Sequence, residues 1–265
     1  MKRRDFLLST VALSSSVLLN RGSSPLVSEA SKESELELSE SKPVIAMLVY
    51  PGFTALDLIG PYQFLCALED HQVLLVSKKK GRVISDTGLE IVTDLSFKEC
   101  PKDLAVIFVP GGTEGTLAAM KDSETMDFVK DRGSRAKFVT SVCTGSLILA
   151  AAGFLKGKKA TSHWVVRDLL KDFGVQPINQ RVVVDGNAVT GAGVSAGLDI
   201  GLLLVKLLAS EAYAKQCQLW FEYDPQPIFD NGSPEKSKPE DVSMLLEMAA
   251  PFRLGVRRAA KSLKS

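Results

Sequence analysis

The sequence predicts an α/β fold with a mostly parallel β-sheet, and three observations support this prediction. Continuous apolar runs of strand length, such as Val44–Val49 and Leu104–Val109, are typical of strands buried on both faces. Helix-length segments separate these runs along the chain, which is the order expected for parallel strands in one sheet. The chain has 265 residues, of which 45% are hydrophobic and 24% are charged, so it is long enough for one globular core.

The first predicted strand spans 44–49 and ends at Tyr50-Pro51-Gly52. Turn residues bound most of the other strands, and Asp185-Gly186-Asn187 is a strong signal for a hairpin. The further predicted strands are 73–77, 104–109, 137–142, 160–163, 182–184 and 188–190, with a small hairpin over 83–93.

The predicted helices lie between these strands. Thr54 is placed to cap the first helix, and Gly153 is placed to end the helix that follows Cys143. The predicted helices span 55–68, 123–135, 146–152, 164–173, 196–209 and 211–221, and a basic, partly amphipathic segment runs from 252 to 264.

Cys143 stands between the end of a predicted strand and the start of a predicted helix. Unpaired N–H groups and the dipole at a helix N-terminus stabilise a thiolate, so we expect a lowered pKa and a nucleophilic sulfur at Cys143. The pattern is that of a nucleophile elbow with sulfur in place of oxygen. The alternative is a buried, unreactive thiol.

Three further residues are expected at the same edge of the sheet, because parallel sheets carry their sites at the carboxyl ends of the strands. Gly111 and Gly112 follow one strand, and paired glycines let backbone N–H groups approach a ligand as an oxyanion site requires. Asp57 lies just inside the first helix. The alternatives are a tight turn for the glycines and, for Asp57, an exposed carboxylate that the helix dipole favours.

Metal and nucleic-acid binding are not expected. The four cysteines, Cys66, Cys100, Cys143 and Cys217, match no zinc-site spacing, and the chain has only two histidines. The net charge is +1, which provides no field for a nucleic acid.

The N-terminal segment is typical of an export signal. Lys2-Arg3-Arg4 precede Asp5-Phe6-Leu7 and an apolar run to Leu19, a pattern that resembles a twin-arginine signal. We therefore expect a signal peptide over 1–30, a disordered Ser/Glu/Lys-rich linker over 31–42 and a periplasmic location. Membrane contact is expected only through this signal, if it is not cleaved. The alternative is a frayed basic terminus.

Six motifs, in this order, resemble the DJ-1/PfpI superfamily, and in particular its isonitrile hydratase-like branch. They are PGFTALDLIGPYQF, FVPGGTEG, SVCTGSLILAAAG, KKATSHW, GAGVSAGLDIG and YDPQPIFDNGSPEK. The resemblance covers about Pro43 to Lys236. It implies a flavodoxin-like three-layer sandwich over 43–223 and a homodimer with its site near the subunit interface.

The resemblance also implies roles for individual residues. Cys143 matches the elbow cysteine, and Asp57 matches the acidic residue of the isonitrile hydratase-like branch. Thr144 stands where protease-like members carry His, so peptidase activity is not expected. Gly112 and the Thr144 backbone N–H match oxyanion donors. His163 matches a histidine near the site, although we favour a structural role for it as the cap of the next helix.

This constellation predicts that the small-molecule substrate is an isonitrile, hydrated to an N-substituted formamide without a metal or organic cofactor. The Cys143 thiolate would attack the terminal carbon, and Asp57 would supply the proton and later activate water. The alternatives are a glyoxalase- or deglycase-like activity on small aldehydes and a redox- or ligand-sensing domain.

The C-terminal extension, 224–265, is too short for the two helix-turn-helix motifs of the regulators in this branch. Its basic terminal helix could contact an anionic membrane. We favour an exposed helix with a solvated face.

Overall fold

The computed structural model describes residues 42–263, so the predicted signal peptide and almost all of the predicted linker lie outside the described part of the chain. In the described residues, seven strands form a central sheet flanked by helices, a three-layer flavodoxin-like sandwich. The strands of this sheet are β1 (Val44–Leu48), β2 (Gln72–Ser77), β5 (Leu95–Ser96), β6 (Val106–Val109), β7 (Phe138–Val142), β10 (Val182–Asp185) and β11 (Ala188–Gly191).

The sheet has the order β10-β11-β7-β6-β1-β2-β5, and only β10 runs antiparallel to its neighbour. β1 lies between β2 and β6, with Ile45 opposite Val73 on one side and Val106 on the other. β1 and β6 are buried along their whole length, which confirms the predicted two-sided burial. Their carboxyl ends lead into the turns that carry the candidate site.

Four short strands form two separate pairs. β3 (Arg82–Ile84) and β4 (Glu90–Val92) form the predicted small hairpin. β8 (Lys159–Ala160) and β9 (Gln176–Pro177) form a two-stranded parallel sheet. The predicted strand over 160–163 is therefore wrong beyond Ala160, because Thr161 instead donates its N–H to the hydroxyl of Thr190 at 3.0 Å.

The helices divide into two groups by their contacts. One group contains α1 (Ala55–Leu65), α6 (Ala196–Leu208) and α7 (Glu211–Trp220), and the other contains α2 (Thr113–Lys121), α3 (Ser123–Arg135), α4 (Gly145–Ala151) and α9 (Ala250–Ser262). α5 (Trp164–Arg167) continues as a 3₁₀-helix over Asp168–Phe173, and a second 3₁₀-helix, Pro234–Lys236, precedes α8 (Pro239–Met248).

Two of the predicted helices differ from the structure. α1 ends at Leu65 rather than at residue 68, and the Thr54 hydroxyl donates to Asp86 Oδ2 at 2.6 Å instead of capping the helix. Only 164–167 of the predicted helix over 164–173 is α-helical. The α2 helix was not predicted, because its Thr-Glu-Gly start after paired glycines is typical of a turn.

Close packing of α1 against α6 positions the helix that carries Asp57. A Cβ atom on Gly201 of α6 would lie 2.8 Å from the Cα of Pro61 in α1, closer than van der Waals contact permits. Glycine at this position therefore lets the two helices approach. The α1 helix is held against the rest of the fold at its middle.

The C-terminal helix packs on the domain, which corrects the prediction of an exposed terminal helix. Phe252, Val256 and Ala260 of α9 are buried, and the Arg253 guanidinium bonds both carboxylate oxygens of Asp168 at 2.8 Å. The amphipathic pattern of this segment thus reflects an apolar face buried in its own fold. In the part of the chain that the structure describes, none of the helices combines the length and the apolar character that a membrane span requires.

Candidate active site

Cys143 lies at the sharp turn between β7 and α4. Its φ angle is +58°, in the left-handed region that a residue with a side chain seldom adopts. The Cys143 N–H donates to the carbonyl of Ala192 at 2.7 Å, and its carbonyl accepts the hydroxyls of Ser162 at 3.0 Å and Ser146 at 3.2 Å. These bonds stabilise the strained turn, which has the predicted elbow geometry.

Asp57, in the first turn of α1, is fully buried, so the alternative of an exposed first-turn carboxylate is wrong. Its Oδ2 atom accepts the backbone N–H of Gly111 at 2.8 Å. Oδ1 is also buried and has no hydrogen-bond partner among the described nitrogen and oxygen atoms. Neighbouring Leu56 is largely exposed, because successive positions in the helix face different surroundings.

Burial dominates the electrostatics of this pair. It raises the pKa of Asp57 to about 7, against the lowering effects of the Gly111 N–H and of hydrogen bonding with the Cys143 thiol. Burial also raises the pKa of Cys143 well above the ordinary thiol value, and the Asp57 charge raises it further. The backbone N–H groups of Thr144 and Val194 lower it by less.

The prediction of a lowered pKa at Cys143 is therefore wrong for the resting site. The sulfur is buried, and α4 has only seven residues to stabilise an anion. Because the pKa of the thiol is raised so far, the resting pair near pH 7 keeps the proton on sulfur. The Asp57 carboxyl, whose pKa is about 7, is the group that changes charge.

The N–H groups of Gly111 and Gly112 have protein partners, which corrects their prediction as free oxyanion donors. Gly111 donates to Asp57, and Gly112 donates to the hydroxyl of Thr144 at 2.9 Å. The Thr144 backbone N–H hydrogen-bonds with Cys143 instead. The structure thus places five of the six predicted site residues in one cluster, with the two glycines bonded to the other members.

Two residues of this cluster were missed by sequence reasoning. The hydroxyl of Thr116 lies 2.8 Å from that of Thr144, and the phenol oxygen of Tyr50 lies 3.2 Å from Thr116 Oγ1. Tyr50 lies two residues beyond the last residue of β1, so the rule that sites lie at the carboxyl ends of strands could have identified it. Thr116 belongs to the helix that was not predicted.

His163 caps α5, as the structural interpretation predicted. Its Nδ1 atom accepts the N–H of Val165 at 3.3 Å. Burial lowers the pKa of His163, and the charge of Arg167 lowers it further, so the ring is neutral near pH 7. The side chain also lines the cleft beside the elbow.

A cleft of about 530 Å³ lies beside the elbow. Its wall includes Leu56, the neighbour of Asp57, and Val194, whose N–H hydrogen-bonds with Cys143. Cys143 is only 5% exposed. Residues 232–235 of the C-terminal extension line the cleft as well, so this extension is part of the site's surroundings. A substrate bound in the cleft would have to extend a slender group to reach the sulfur.

Comparison with known proteins shows the family of this chain. Residues 43–207 match the DJ-1/PfpI family. The chain belongs to the DJ-1/PfpI family. The candidate elbow and both glycines lie inside the matched range.

Two relatives and one solved structure of the DJ-1/PfpI family illustrate the similarity. The chain is 46% identical to the isonitrile hydratase of Pseudomonas putida over 207 residues, 78% of this chain and 90% of that enzyme. It is 33% identical to a deglycase of Thermococcus kodakarensis over 147 residues, 55% of this chain and 87% of that protein. A THiJ/PfpI family protein from Pseudomonas syringae has 50% identity and a TM-score of 0.81, covering 83% of this chain and 90% of its own.

Within residues 42–263 of this family member, no group of three or more His, Cys, Asp and Glu side chains could hold a metal ion. At the cluster itself, the thiol of Cys143 and the carboxyl of Asp57 lie among the hydrogen bonds described above. These groups permit nucleophilic attack and proton transfer.

Proposed function

We propose that this protein hydrates isonitriles to N-substituted formamides, with Cys143 as nucleophile and Asp57 as general acid and base. The observation that carries the proposal is the interaction of a buried elbow thiol with a buried carboxyl whose pKa is about 7. A carboxyl with this pKa can both accept and release a proton near neutral pH. Identity to the isonitrile hydratase of P. putida supports the same reaction.

The first half-reaction begins from the protonated thiol and the Asp57 carboxylate. As sulfur attacks the terminal carbon of the isonitrile, the thiol proton passes to Asp57, so no free thiolate has to form in the buried site. Asp57 then delivers this proton to the attacked carbon. The product is a thioimidate, in which carbon is bonded to sulfur and hydrogen and is doubly bonded to nitrogen.

The second half-reaction hydrolyses the thioimidate. The Asp57 carboxylate takes one proton from water while the hydroxide adds to the carbon, and this proton passes to nitrogen. The remaining hydroxyl proton returns through Asp57 to sulfur as the carbon–sulfur bond breaks. The formamide leaves, and the thiol and carboxylate are restored.

The burial of the site favours an isonitrile over a small aldehyde. Cys143 is 5% exposed, so the sulfur is accessible only to a slender group. An isonitrile is linear through its terminal carbon and nitrogen, whereas a carbonyl carbon carries two substituents in its plane. The deglycase-like alternative retains support from the 33% identity to the T. kodakarensis protein, which covers less of this chain. A sensing role remains the alternative outside enzymes.

A parallel assay tests the proposal. The full chain is incubated with an alkyl isonitrile and, separately, with methylglyoxal, and formamide and hydroxy-acid products are measured by NMR. We expect formamide from the wild type, none from Cys143→Ser, and wild-type yield from Cys66→Ser, which alters an exposed free cysteine. Turnover of methylglyoxal alone would favour the deglycase-like alternative. Rapid oxidation of Cys143 without turnover of either compound would favour a sensor.

The oligomeric state and the cellular location are two further proposals. We propose a homodimer and export by the twin-arginine route, on the grounds of the resemblance and of Lys2-Arg3-Arg4. Light scattering of the purified protein would measure the mass of the assembly. Fractionation of cells that express the full chain, compared with an Arg3→Lys, Arg4→Lys variant, would locate the protein.

A further inference from the structure

We propose that the hydroxyls of Tyr50, Thr116 and Thr144 form a hydrogen-bonded ring that sets the position of the Gly111 N–H and, through it, of the Asp57 carboxyl. The inference rests on the proposed function, for which these three would be positioning residues. It concerns residues outside the pair that performs the chemistry, and two of them, Tyr50 and Thr116, were not predicted as part of the site.

The three hydroxyls are linked one after another by hydrogen bonds, and the two outer hydroxyls bond to the same turn, so its backbone from Pro110 to Gly112 closes the ring. The Tyr50 phenol donates to the carbonyl of Pro110 at 2.8 Å. On the other side of Gly111, the N–H of Gly112 donates to Thr144 Oγ1 at 2.9 Å. The ring thus holds the two residues that flank Gly111, and the N–H of Gly111 itself is left to Asp57.

Hydrogen-bond directions around the ring are consistent. Because the single Tyr50 proton goes to Pro110, the phenol oxygen accepts from Thr116 at 3.2 Å. Thr116 Oγ1 then accepts the proton of Thr144 at 2.8 Å. The other acceptor for Thr144, the carbonyl of Gly112, is more distant at 3.3 Å. Each hydroxyl therefore donates once and accepts once, an arrangement that strengthens the individual bonds.

The ring is shielded from water. Tyr50, Thr116 and Thr144 are all buried. Removal of one hydroxyl from such a place leaves its partner unpaired, because water does not reach the partner to replace the lost hydrogen bond. The turn is consequently more tightly constrained than a loop at the surface.

The pKa of the Asp57 carboxyl depends on the position of the turn. A Cβ atom on Gly111 would lie 2.7 Å from Asp57 Oδ2 and 2.7 Å from Thr144 Oγ1, so the turn fits closely between these two side chains. The Gly111 N–H stabilises the carboxylate and lowers its pKa. A displaced turn would weaken this bond and leave the carboxylate less stabilised.

The experiment measures the pH dependence of isonitrile turnover in Tyr50→Phe and Thr116→Val, with Thr116→Ser as the variant that keeps the hydroxyl. We expect kcat to fall by about tenfold, the rate equivalent of one hydrogen bond, with KM changed by less than about twofold. We also expect the acidic limb of the kcat/KM profile to move to higher pH. Thr116→Ser should restore both values. A residue that only supported the fold would lower the amount of active enzyme and leave the limb in place.

A second measurement tests the ring proposal independently of the proposed function. Infrared spectra over a pH series give the protonation of Asp57 directly, because its carboxyl band is assigned by its absence in Asp57→Asn. If the wild type turns over no isonitrile, the proposed function fails, and the ring is still tested by the infrared pKa. An unchanged Asp57 pKa in folded Tyr50→Phe and Thr116→Val would overturn the ring proposal.

Discussion

The backbone N–H of Gly111 donates to Oδ2 of Asp57 across 2.8 Å, in a place where the carboxyl is fully buried. The two residues are 54 positions apart in sequence, and the bond joins the turn after β6 to the first turn of α1. The N–H limits the rise in the Asp57 pKa that burial causes, and leaves the carboxyl able to exchange a proton near neutral pH.

The pH profile of kcat/KM should rise through an acidic limb near pH 7. In the proposed mechanism the active form holds one proton between Cys143 and Asp57, and protonation of the Asp57 carboxyl, whose pKa is about 7, would remove the base. The profile should fall again only in strongly alkaline solution, because the pKa of Cys143 is raised well above the ordinary value. Initial rates at low isonitrile concentration measure both limbs. An acidic limb below pH 5 would contradict this assignment.

Asp57→Asn should remove activity while it stabilises the fold at alkaline pH. We expect a loss of at least about 100-fold in kcat/KM, the usual contribution of a general acid–base group. The asparagine side chain retains an oxygen that can accept the Gly111 N–H, so the turn should keep its position. Asp103→Asn removes an exposed carboxylate and serves as the control. Wild-type activity in Asp57→Asn would show that the proton comes from another group.

Ionisation of the buried Asp57 carboxyl should destabilise the folded protein. Its pKa in the folded protein is raised from 3.8 to about 7, so the folded state binds more protons than the unfolded state between these values. The contribution of Asp57 to the free energy of unfolding should therefore be largest below pH 4. It should fall by up to about 4 kcal/mol as the pH rises to 7. Urea unfolding of wild type and Asp57→Asn across this range measures the difference, which should widen with pH.

Gly111→Ala should damage the site through a steric clash. The added Cβ would lie 2.7 Å from Asp57 Oδ2 and from the Thr144 nitrogen, so one of these groups must move. We expect a destabilisation of about 1–3 kcal/mol and a large loss of kcat. The matched control is Gly60→Ala in α1, where the nearest contacts of the new Cβ would be atoms of Leu198, the first of them at the ordinary distance of 3.4 Å. Equal activities of the two variants would contradict the close fit.

Phe252→Ala should destabilise the whole domain. Phe252 is buried at the start of α9, and truncation of a buried phenylalanine costs about 3–5 kcal/mol. Leu254→Ala, on the same helix, truncates a side chain that is 49% exposed and should change the free energy of unfolding by less than about 0.5 kcal/mol. Denaturant unfolding measures both. A negligible effect of Phe252→Ala would show that the helix is separate from the cooperative core.

The elements that sequence reasoning located well are those whose signals are local. The helix over 123–135 was predicted with the bounds that the structure has, and in the structure the Asp122 side chain caps it by accepting the N–H of Thr125. The hairpin around Asp185-Gly186-Asn187 was also confirmed, since this turn type needs particular residues. The elbow at Cys143 was recognisable because a buried strand runs into a small-residue helix at that point.

Elements with weak local signals were missed or misjudged. The first turn of the α2 helix contains Gly115, which lowers the helix propensity of the segment. Contacts with neighbouring helices stabilise it. The apolar residues of α9 could have faced a membrane, a partner or the domain, and periodicity alone does not distinguish these. The structure buries them against the domain, where Arg253 also bonds to Asp168.

By itself, the sequence determined the α/β class, the order of most strands and helices, and the presence of a cysteine at a strand-to-helix turn. Only the tertiary structure decided the charge state of that cysteine and the partners of Gly111 and Gly112. The physical reason is that desolvation depends on every group packed around an atom, and these groups come from segments far apart along the chain. Local sequence patterns predict where the chain turns, whereas burial and long-range hydrogen bonds determine the protonation state and the partners of the residues at the turn.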